Sequence, residues 1–532
     1  MLLAASARYG DDVAFQIRRG LRSERISYAR AAEVARSVAA WCATRELRPG
    51  DRIATWAPNM PEYALLYFGA WLAGLVVVPI DVRTRPEVIE RTVAASGARL
   101  GFRSAALAGT LGPSVETYVL EELIPLVATA GPRAALPTVA PDGLAVIVYT
   151  SGTTGTPKGV MLTHANLLAE TAALGRAFPL RRGLAALSVL PLSHVYELSV
   201  TFLHGFASGV RVTYLPRVEA VTVVPAMAEA RVEAMVVVPE LLRLLLRGIE
   251  RRVRREGGWS RWSLGHRIAA HLPFVLRRLL FAPVLRALGG RLDFVGVGGA
   301  PLDVPVARAW ERMGIHVFEG YGLTETAGGA TINALGRQRL GSAGRPMPGV
   351  MVRCAEDGEI LVGGPTVSRG YFGDPALTES AFTDGWLRSG DVGRLDQDGF
   401  LYVIGRMSSR IVLPDGRKVY PEDVERELNA DPSVRDSCVV GARDLHGRER
   451  VHAVLLVDQR ERVNTIVRSA NARLADHQRI HTWSIWPDED LPRGPTLKPD
   501  RAVVRAAVER GSIARPSGGP AGDRGDARWR DR

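Results

Sequence analysis

Tyr149-Thr150-Ser151-Gly152-Thr153-Thr154-Gly155-Thr156-Pro157-Lys158-Gly159-Val160 is a hydroxyl- and glycine-rich stretch that directly follows an apolar run, Leu-Ala-Val-Ile-Val at 144–148. The run reads as a buried strand. Gly152, Gly155 and Gly159 let the backbone after it bend until several N–H groups face one anion, while the hydroxyls of Thr150, Ser151, Thr153, Thr154 and Thr156 and the ammonium of Lys158 add donors and charge. Such a loop is built to hold polyphosphate. The common nucleotide loop needs Ser or Thr straight after its lysine, and here Gly159 follows Lys158, so a Walker-type NTPase is disfavoured. A strand that ends on a phosphate-binding loop implies a wound α/β fold.

The rest of the chain agrees with a large α/β enzyme. Its 532 residues exceed one ordinary domain, and a hydrophobic content of 46% supplies a large core. Cys42, Cys354 and Cys438 are few, odd in number and far apart, which suggests neither a disulfide framework nor a cysteine metal site and fits a reducing cytoplasm. Residues 63–80 carry no charge and imitate a membrane span. Gly69, Gly74 and Pro79 break that stretch, which divides into a buried helix over 64–73, a stop at Gly74 and a β-branched strand over 75–80. The opening Met-Leu-Leu-Ala-Ala-Ser-Ala-Arg is too short for a signal peptide, and no secretion is expected.

Formal net charge is +12, densest over 243–291, where arginines alternate with Leu, Ile, Val, Trp and Phe as in basic amphipathic helices. Three readings compete: a solvated helical face packed on the core, a patch that rests peripherally on anionic lipid, and nucleic-acid binding. No nucleic-acid motif accompanies the charge, so nucleic acid is placed last.

From residue 11 to about 350, helical periodicity alternates with short β-branched runs at 52–56, 75–80, 144–148, 235–238, 292–297 and 315–318. From 358 to 404 short strands separated by turn signals suggest an antiparallel subdomain. The expected organisation is a large N-terminal domain of wound α/β layers over 1–405, its antiparallel β subdomain at about 352–405, a small mobile α+β domain over 406–510, and a disordered tail over 511–532.

Two further strand candidates end on chemistry, as ligands in wound sheets collect beyond strand carboxyl ends. After 292–297 comes Gly298-Gly299-Ala300-Pro301-Leu302, where missing side chains let a flat ring lie against backbone. After 315–318 comes Tyr321-Gly322-Leu323-Thr324-Glu325-Thr326, with an aromatic face for a base, hydroxyls for phosphate and a carboxylate for Mg²⁺. Downstream, Ser389-Gly390-Asp391 sits between short strands and offers a carboxylate to ribose hydroxyls, or forms an Asx turn. Leu491-Pro492-Arg493-Gly494-Pro495-Thr496-Leu497-Lys498 puts a lysine in a proline-stiffened loop.

In this order the five motifs resemble the adenylate-forming superfamily of acyl-CoA synthetases, adenylation domains and luciferases, over roughly residues 10–510. The resemblance implies two steps: a carboxylate attacks the α-phosphate of ATP to give acyl-adenylate and pyrophosphate, then the thiol of coenzyme A displaces AMP. It assigns Thr150, Ser151, Gly152, Thr153, Thr154 and Lys158 to the β- and γ-phosphates, Glu325 to Mg²⁺, and Thr324 to the α-phosphate. Tyr321 would stack on adenine, with Gly299 and Ala300 on its other side. Asp391, assisted by Arg406, would bind ribose. Lys498 would reach in from the small domain during adenylation.

Leu190-Pro191-Leu192-Ser193-His194-Val195-Tyr196-Glu197 resembles the matching motif of long-chain fatty acyl-CoA synthetases, which puts His194 beside the acyl carboxylate and Tyr196 in the pocket wall. The Arg-rich stretch is similar in position to an insertion of long-chain members. Relatives commonly carry a charged hinge after the Gly-Arg pair, whereas Gly405-Arg406-Met407-Ser408-Ser409-Arg410 has two serines. That departure motivates a second expectation, an acyl-AMP ligase delivering to an acyl carrier protein. Activation of another carboxylic acid and a non-catalytic nucleotide- or lipid-binding role are the further alternatives.

Overall fold

The computed structural model describes residues 1–20, 22–113, 115–128, 130, 135–150, 157–215, 217–431, 433–444, 447–493 and 499–513. Residues 151–156, Lys498 and the tail from 514 onward lie outside them. The chain divides into two compact units, Met1–Ser389 with Leu395–Tyr402, and Gly390–Arg394 with the chain from Val403 onward.

The first unit is built on two large sheets. Arg52–Trp56, Val76–Ile80, Ala98–Arg103, Glu116–Val119 and Leu144–Thr150 run parallel, and Lys158–Thr163 closes one edge antiparallel to Leu144–Thr150. In the second sheet Val13–Arg19, Arg211–Tyr214, Ala185–Ser188, Ala234–Val237, Phe294–Val297 and His316–Tyr321 are parallel neighbours, with antiparallel strands at both ends. The inner strands Val76–Ile80 and Ala185–Ser188 are buried at every position, as expected where both faces of a parallel sheet are covered. Alternation then sends side chains two ways: Ala186 and Ala234 enter the core between the sheets, and Leu187, Met235 and Val237 enter the core on the far side.

The core between the sheets joins Phe15 and Val212 of one to Ile53, Val77 and Val146 of the other through helices Tyr28–Thr44, Pro61–Leu72 and Glu197–His204. Here the membrane-like stretch finds its explanation: Tyr63, Leu65, Leu66 and Tyr67 are fully enclosed by protein, and Gly74, at φ 73°, turns the chain into strand Val76–Ile80. Among the described residues no helix is long and apolar enough to cross a membrane.

The Arg-rich segment forms helices Pro239–Arg255, Trp259–Ala269, Phe274–Leu280 and Ala282–Ala287. Leu242, Leu245 and Leu246, spaced along one helical face, pack into the far-side core with Trp262 and Phe281. Several arginines are structural: Arg278 donates to the carbonyls of Leu292 at 2.8 Å and Gly314 at 2.7 Å.

Antiparallel pairing follows, between Met351–Cys354 and Glu359–Gly363 and between Phe382–Thr383 and Trp386–Leu395. Ser389-Gly390-Asp391 does not sit between strands, as the sequence suggested. It lies inside strand Trp386–Leu395, where Gly390 takes φ 69°; that left-handed glycine gives the sequence its turn-like look.

In the second unit Glu449–Val457 pairs antiparallel with Val434–Arg443 and parallel with Thr482–Ile485. Helices Pro421–Asn429, Val463–Asn471 and Arg501–Glu509 pack against this sheet. Arg501 donates to Glu422 at 2.9 Å, to Glu425 at 2.9 Å and to the Val439 carbonyl at 3.1 Å, fixing the start of the last helix.

Candidate active site

In the first unit the flanks of the stretch expected to bind phosphate form an edge hairpin: Thr150 ends one strand, Lys158 begins the next, and the two are register partners. Ser151, Gly152, Thr153 and Thr154 fall outside the described residues. The outer edge of strand Lys158–Thr163 is covered by residues 369–372. Met161 N donates to the Gly370 carbonyl at 3.0 Å, and Phe372 N donates to the Gly159 carbonyl at 2.7 Å. Tyr371 is thereby brought beside Val160.

That covering segment joins two sequence motifs. The Tyr371 hydroxyl donates to Glu325 Oε1 at 2.8 Å, and Lys158 Nζ stands 5.8 Å from the centre of the Tyr371 ring, within cation–π reach. Ser368 N also donates to the Glu325 carbonyl at 2.7 Å. Thr324 and Glu325 lie on the 3-10 turn Thr324–Thr326, which follows the end of strand His316–Tyr321 and is closed by Ala327 at φ 56°. The turn is tight enough that a Cβ on Gly322 would lie 2.3 Å from the Gly328 carbonyl oxygen. Tyr321, half-buried, accepts from Ala330 N at 2.8 Å through its own carbonyl. A carboxylate oriented by a phenol is a hard oxygen donor of the kind Mg²⁺ prefers, and Glu325 fits that use.

Gly299, at φ 81°, and Ala300 follow strand Phe294–Val297. A side chain on the preceding Gly298 would collide with Tyr196, whose Cζ lies 2.9 Å from the Cβ position. At Gly298 the ring against the backbone is the protein's own, whereas a Cβ on Gly299 would meet only Val238 Cγ1 at 3.6 Å.

The segment bearing His194 is braced from below. Asn59 donates through Nδ2 to Ser188 Oγ at 2.7 Å and to the Leu190 carbonyl at 2.6 Å, and its Oδ1 accepts from Leu192 N at 2.7 Å. Glu197, wholly buried, accepts from Thr201 at 3.1 Å, and burial raises its carboxyl to about 8 against the opposing hydrogen bonds of Ser188, Thr201 and Leu190. His194 itself stands 2.8 Å by Nε2 from Asp81 Oδ2. Burial would push the Asp81 carboxyl up, but hydrogen bonds from His194 and Arg83, with their charges, bring it below the usual carboxylate range.

In the second unit Arg406 Nε donates to Asp391 Oδ1 at 2.8 Å, joining the two residues assigned to ribose. The flanks of the Lys498 loop are described although the lysine is not: Arg493 pairs with Asp436 at 2.8 Å and bridges to Pro499.

Tyr371, Asp81 and Asn59 escaped the sequence reading. Asp81 carried a usable signal, since it directly follows strand Val76–Ile80 as other motifs follow theirs. Tyr371 sits in Gly370-Tyr371-Phe372-Gly373, an aromatic pair framed by glycines. Asn59 precedes a helix and looks like a cap, yet its side chain crosses to another element.

A family model described as AMP-binding enzyme matches residues 2–372. The long-chain-fatty-acid–CoA ligase FadD15 of Mycobacterium bovis is 31% identical over 456 residues, covering 78% of this chain and 75% of its own. A feruloyl-CoA synthase from an Amycolatopsis species is 30% identical over 79% of this chain and 81% of its own. Among solved structures, ATP-bound MatB from Rhodopseudomonas palustris superposes with a TM-score of 0.80 at 26% identity, covering 96% of this chain and 98% of that one.

Proposed function

The chain belongs to the AMP-binding enzyme family and is an AMP-forming acid–CoA ligase, and from that premise we propose that its acid is a long-chain fatty acid. The observation that carries the reading is the likeness to FadD15 over 78% of the chain, in which the His194 segment is held rigid by Asn59. The substrates are ATP, the acid and coenzyme A, with Mg²⁺.

In-line attack of a carboxylate on a phosphate brings two anions together, so catalysis rests on charge neutralisation and alignment. Lys158, with Thr150, Ser151, Gly152, Thr153 and Thr154, holds the β- and γ-phosphates. Glu325, oriented by Tyr371, holds Mg²⁺, which when bound offsets phosphate charge. Thr324 touches the α-phosphate. Tyr321, Gly299 and Ala300 line the adenine, and Asp391 with Arg406 takes the ribose. His194 meets the acyl carboxylate. Lys498 neutralises the reacting centre and withdraws when the small domain turns about the Ser408-Ser409 hinge for the thiol step.

A screen of acids by pyrophosphate release, with ATP, Mg²⁺ and coenzyme A, tests the proposal. Palmitate should outpace short and aromatic acids and yield thioester. Preference for ferulate would transfer the assignment to aromatic acids, a reading favoured by the Tyr196 ring over Gly298. Adenylate that accumulates until a holo carrier protein is added would favour the acyl-AMP ligase. Lys498→Ala should abolish acid-dependent ATP–pyrophosphate exchange while nucleotide still binds.

Peripheral lipid contact belongs to the same proposal. Helix Phe274–Leu280 buries no residue, and Val275 and Leu279 are 68% and 67% exposed on it beside Arg277 and Arg278. An exposed apolar ridge on a chain of net charge +12 suits an anionic bilayer surface, with Arg277 and Arg278 themselves engaged by the carbonyls of Leu272, Leu292 and Gly314. Co-sedimentation with anionic vesicles, lost in Val275→Ser with Leu279→Ser, is the expected result.

A further inference from the structure

Asp81 directly follows strand Val76–Ile80 and is almost fully withdrawn from solvent. Its carboxylate is nonetheless crowded with donors. Oδ1 accepts from Arg83 N at 2.8 Å and from Arg83 Nε at 3.0 Å, while Oδ2 accepts from the second arm of the guanidinium at 3.0 Å and from His194 Nε2 at 2.8 Å. The arginine fork matches the carboxylate in charge and geometry, so an ion persists there without an unpaired buried charge. An ionised carboxylate only accepts, and His194 Nε2 must therefore carry the proton. The ring is held by one nitrogen and presents the other edge.

The neighbours of His194 in the chain lie against two other segments. A Cβ on Gly328, just beyond the Thr324–Thr326 turn, would lie 3.2 Å from the Val195 carbonyl oxygen, and a Cβ on Gly298 would lie 3.0 Å from the Tyr196 hydroxyl. The residues next to His194 thus touch both segments assigned to the nucleotide. The Nε2–H is committed to Asp81, so the Nδ1 edge is the one left for an incoming carboxylate. The nearby Tyr63 hydroxyl adds no charge; it is paired with Thr55 Oγ1 at 2.7 Å.

We propose that Asp81, braced by Arg83, is a positioning residue that fixes the orientation of His194 so that its Nδ1 edge faces the carboxylate of the acid substrate. The inference rests on the placing of His194 at that carboxylate. It separates Asp81 from the nucleotide: the residue acts on the acid, and only through His194.

The test is a double-mutant cycle on the full-length protein, read by ATP–pyrophosphate exchange with palmitate. Asp81→Asn is expected to raise the KM for acid about tenfold and to leave the KM for ATP within about twofold. In a His194→Ala background the same substitution should add less than about twofold. A role in folding alone would lower the amount of active enzyme and leave both KM values in place, and independent multiplication of the two single effects would overturn the inference by itself. A His194→Ala protein with unaltered acid kinetics would overturn the placing of His194 and the inference with it. Should Asp81→Asn fold poorly, Arg83→Gln leaves the carboxylate in place without its brace, and a rise of about threefold confined to the acid KM is expected; no rise would count against the proposal.

Discussion

The hydroxyl of Tyr371 donates to Glu325 at 2.8 Å, so the carboxylate assigned to Mg²⁺ is oriented by a residue from the segment that covers the phosphate-loop hairpin. Tyr371→Phe removes that bond and keeps the ring under Lys158. Losing one hydrogen bond to a charged group costs about 1.5–3 kcal/mol, so pyrophosphate exchange should fall about tenfold or more. Titration with Mg²⁺ should show a raised requirement.

Two glycines answer differently to the same substitution. At Gly322 an added Cβ meets backbone, the Gly328 carbonyl at 2.3 Å and Gly329 Cα at 2.6 Å. At Gly298 it meets the Tyr196 ring. Both Gly→Ala changes should destabilise by about 2 kcal/mol, since overpacking of this kind typically costs 1–3 kcal/mol. A second change, Tyr196→Leu, should restore the thermal midpoint only for Gly298→Ala.

Glu197 makes stability depend on pH. Its carboxyl is raised from 4.5 to about 8 by burial, so the folded chain keeps a proton that the unfolded chain has released. The contribution is full below about pH 4.5 and is lost as pH rises through about 8. Glu197→Gln should be neutral near pH 5 and stabilising near pH 8 by up to about 4 kcal/mol. Denaturant midpoints at the two values measure the difference.

In the second unit Arg501 is the counterion of Glu425 and Glu422. Arg501→Leu leaves the Glu425 carboxylate buried without its cation, a loss of about 3–5 kcal/mol. Limited proteolysis should then cleave the chain beyond residue 410 while the first unit resists.

Much of this organisation was legible because its signals are local. The β-branched runs at 52–56 and 144–148 became strands Arg52–Trp56 and Leu144–Thr150, and the reading of residues 63–80 as helix, stop and strand became Pro61–Leu72, Gly74 and Val76–Ile80. What remained hidden depends on partners far along the chain. Asp81 meets a histidine 113 residues away, Asn59 a strand end 129 residues away, and Tyr371 a carboxylate 46 residues away. No window of sequence contains such pairs, and each residue alone looks ordinary. Asp391 misled in the opposite sense, since Gly390 signals a turn and produces a bent strand.

The covering of strand Lys158–Thr163 by residues 369–372 also sets an order of events at the ribosome. When the hairpin emerges, its outer backbone donors and acceptors have no neighbour, and they stay open until the later segment has been translated. A nascent chain stalled before Arg369 would offer a bare β-edge to chaperones or to its own copies, so polysomes are where this protein is most prone to stick.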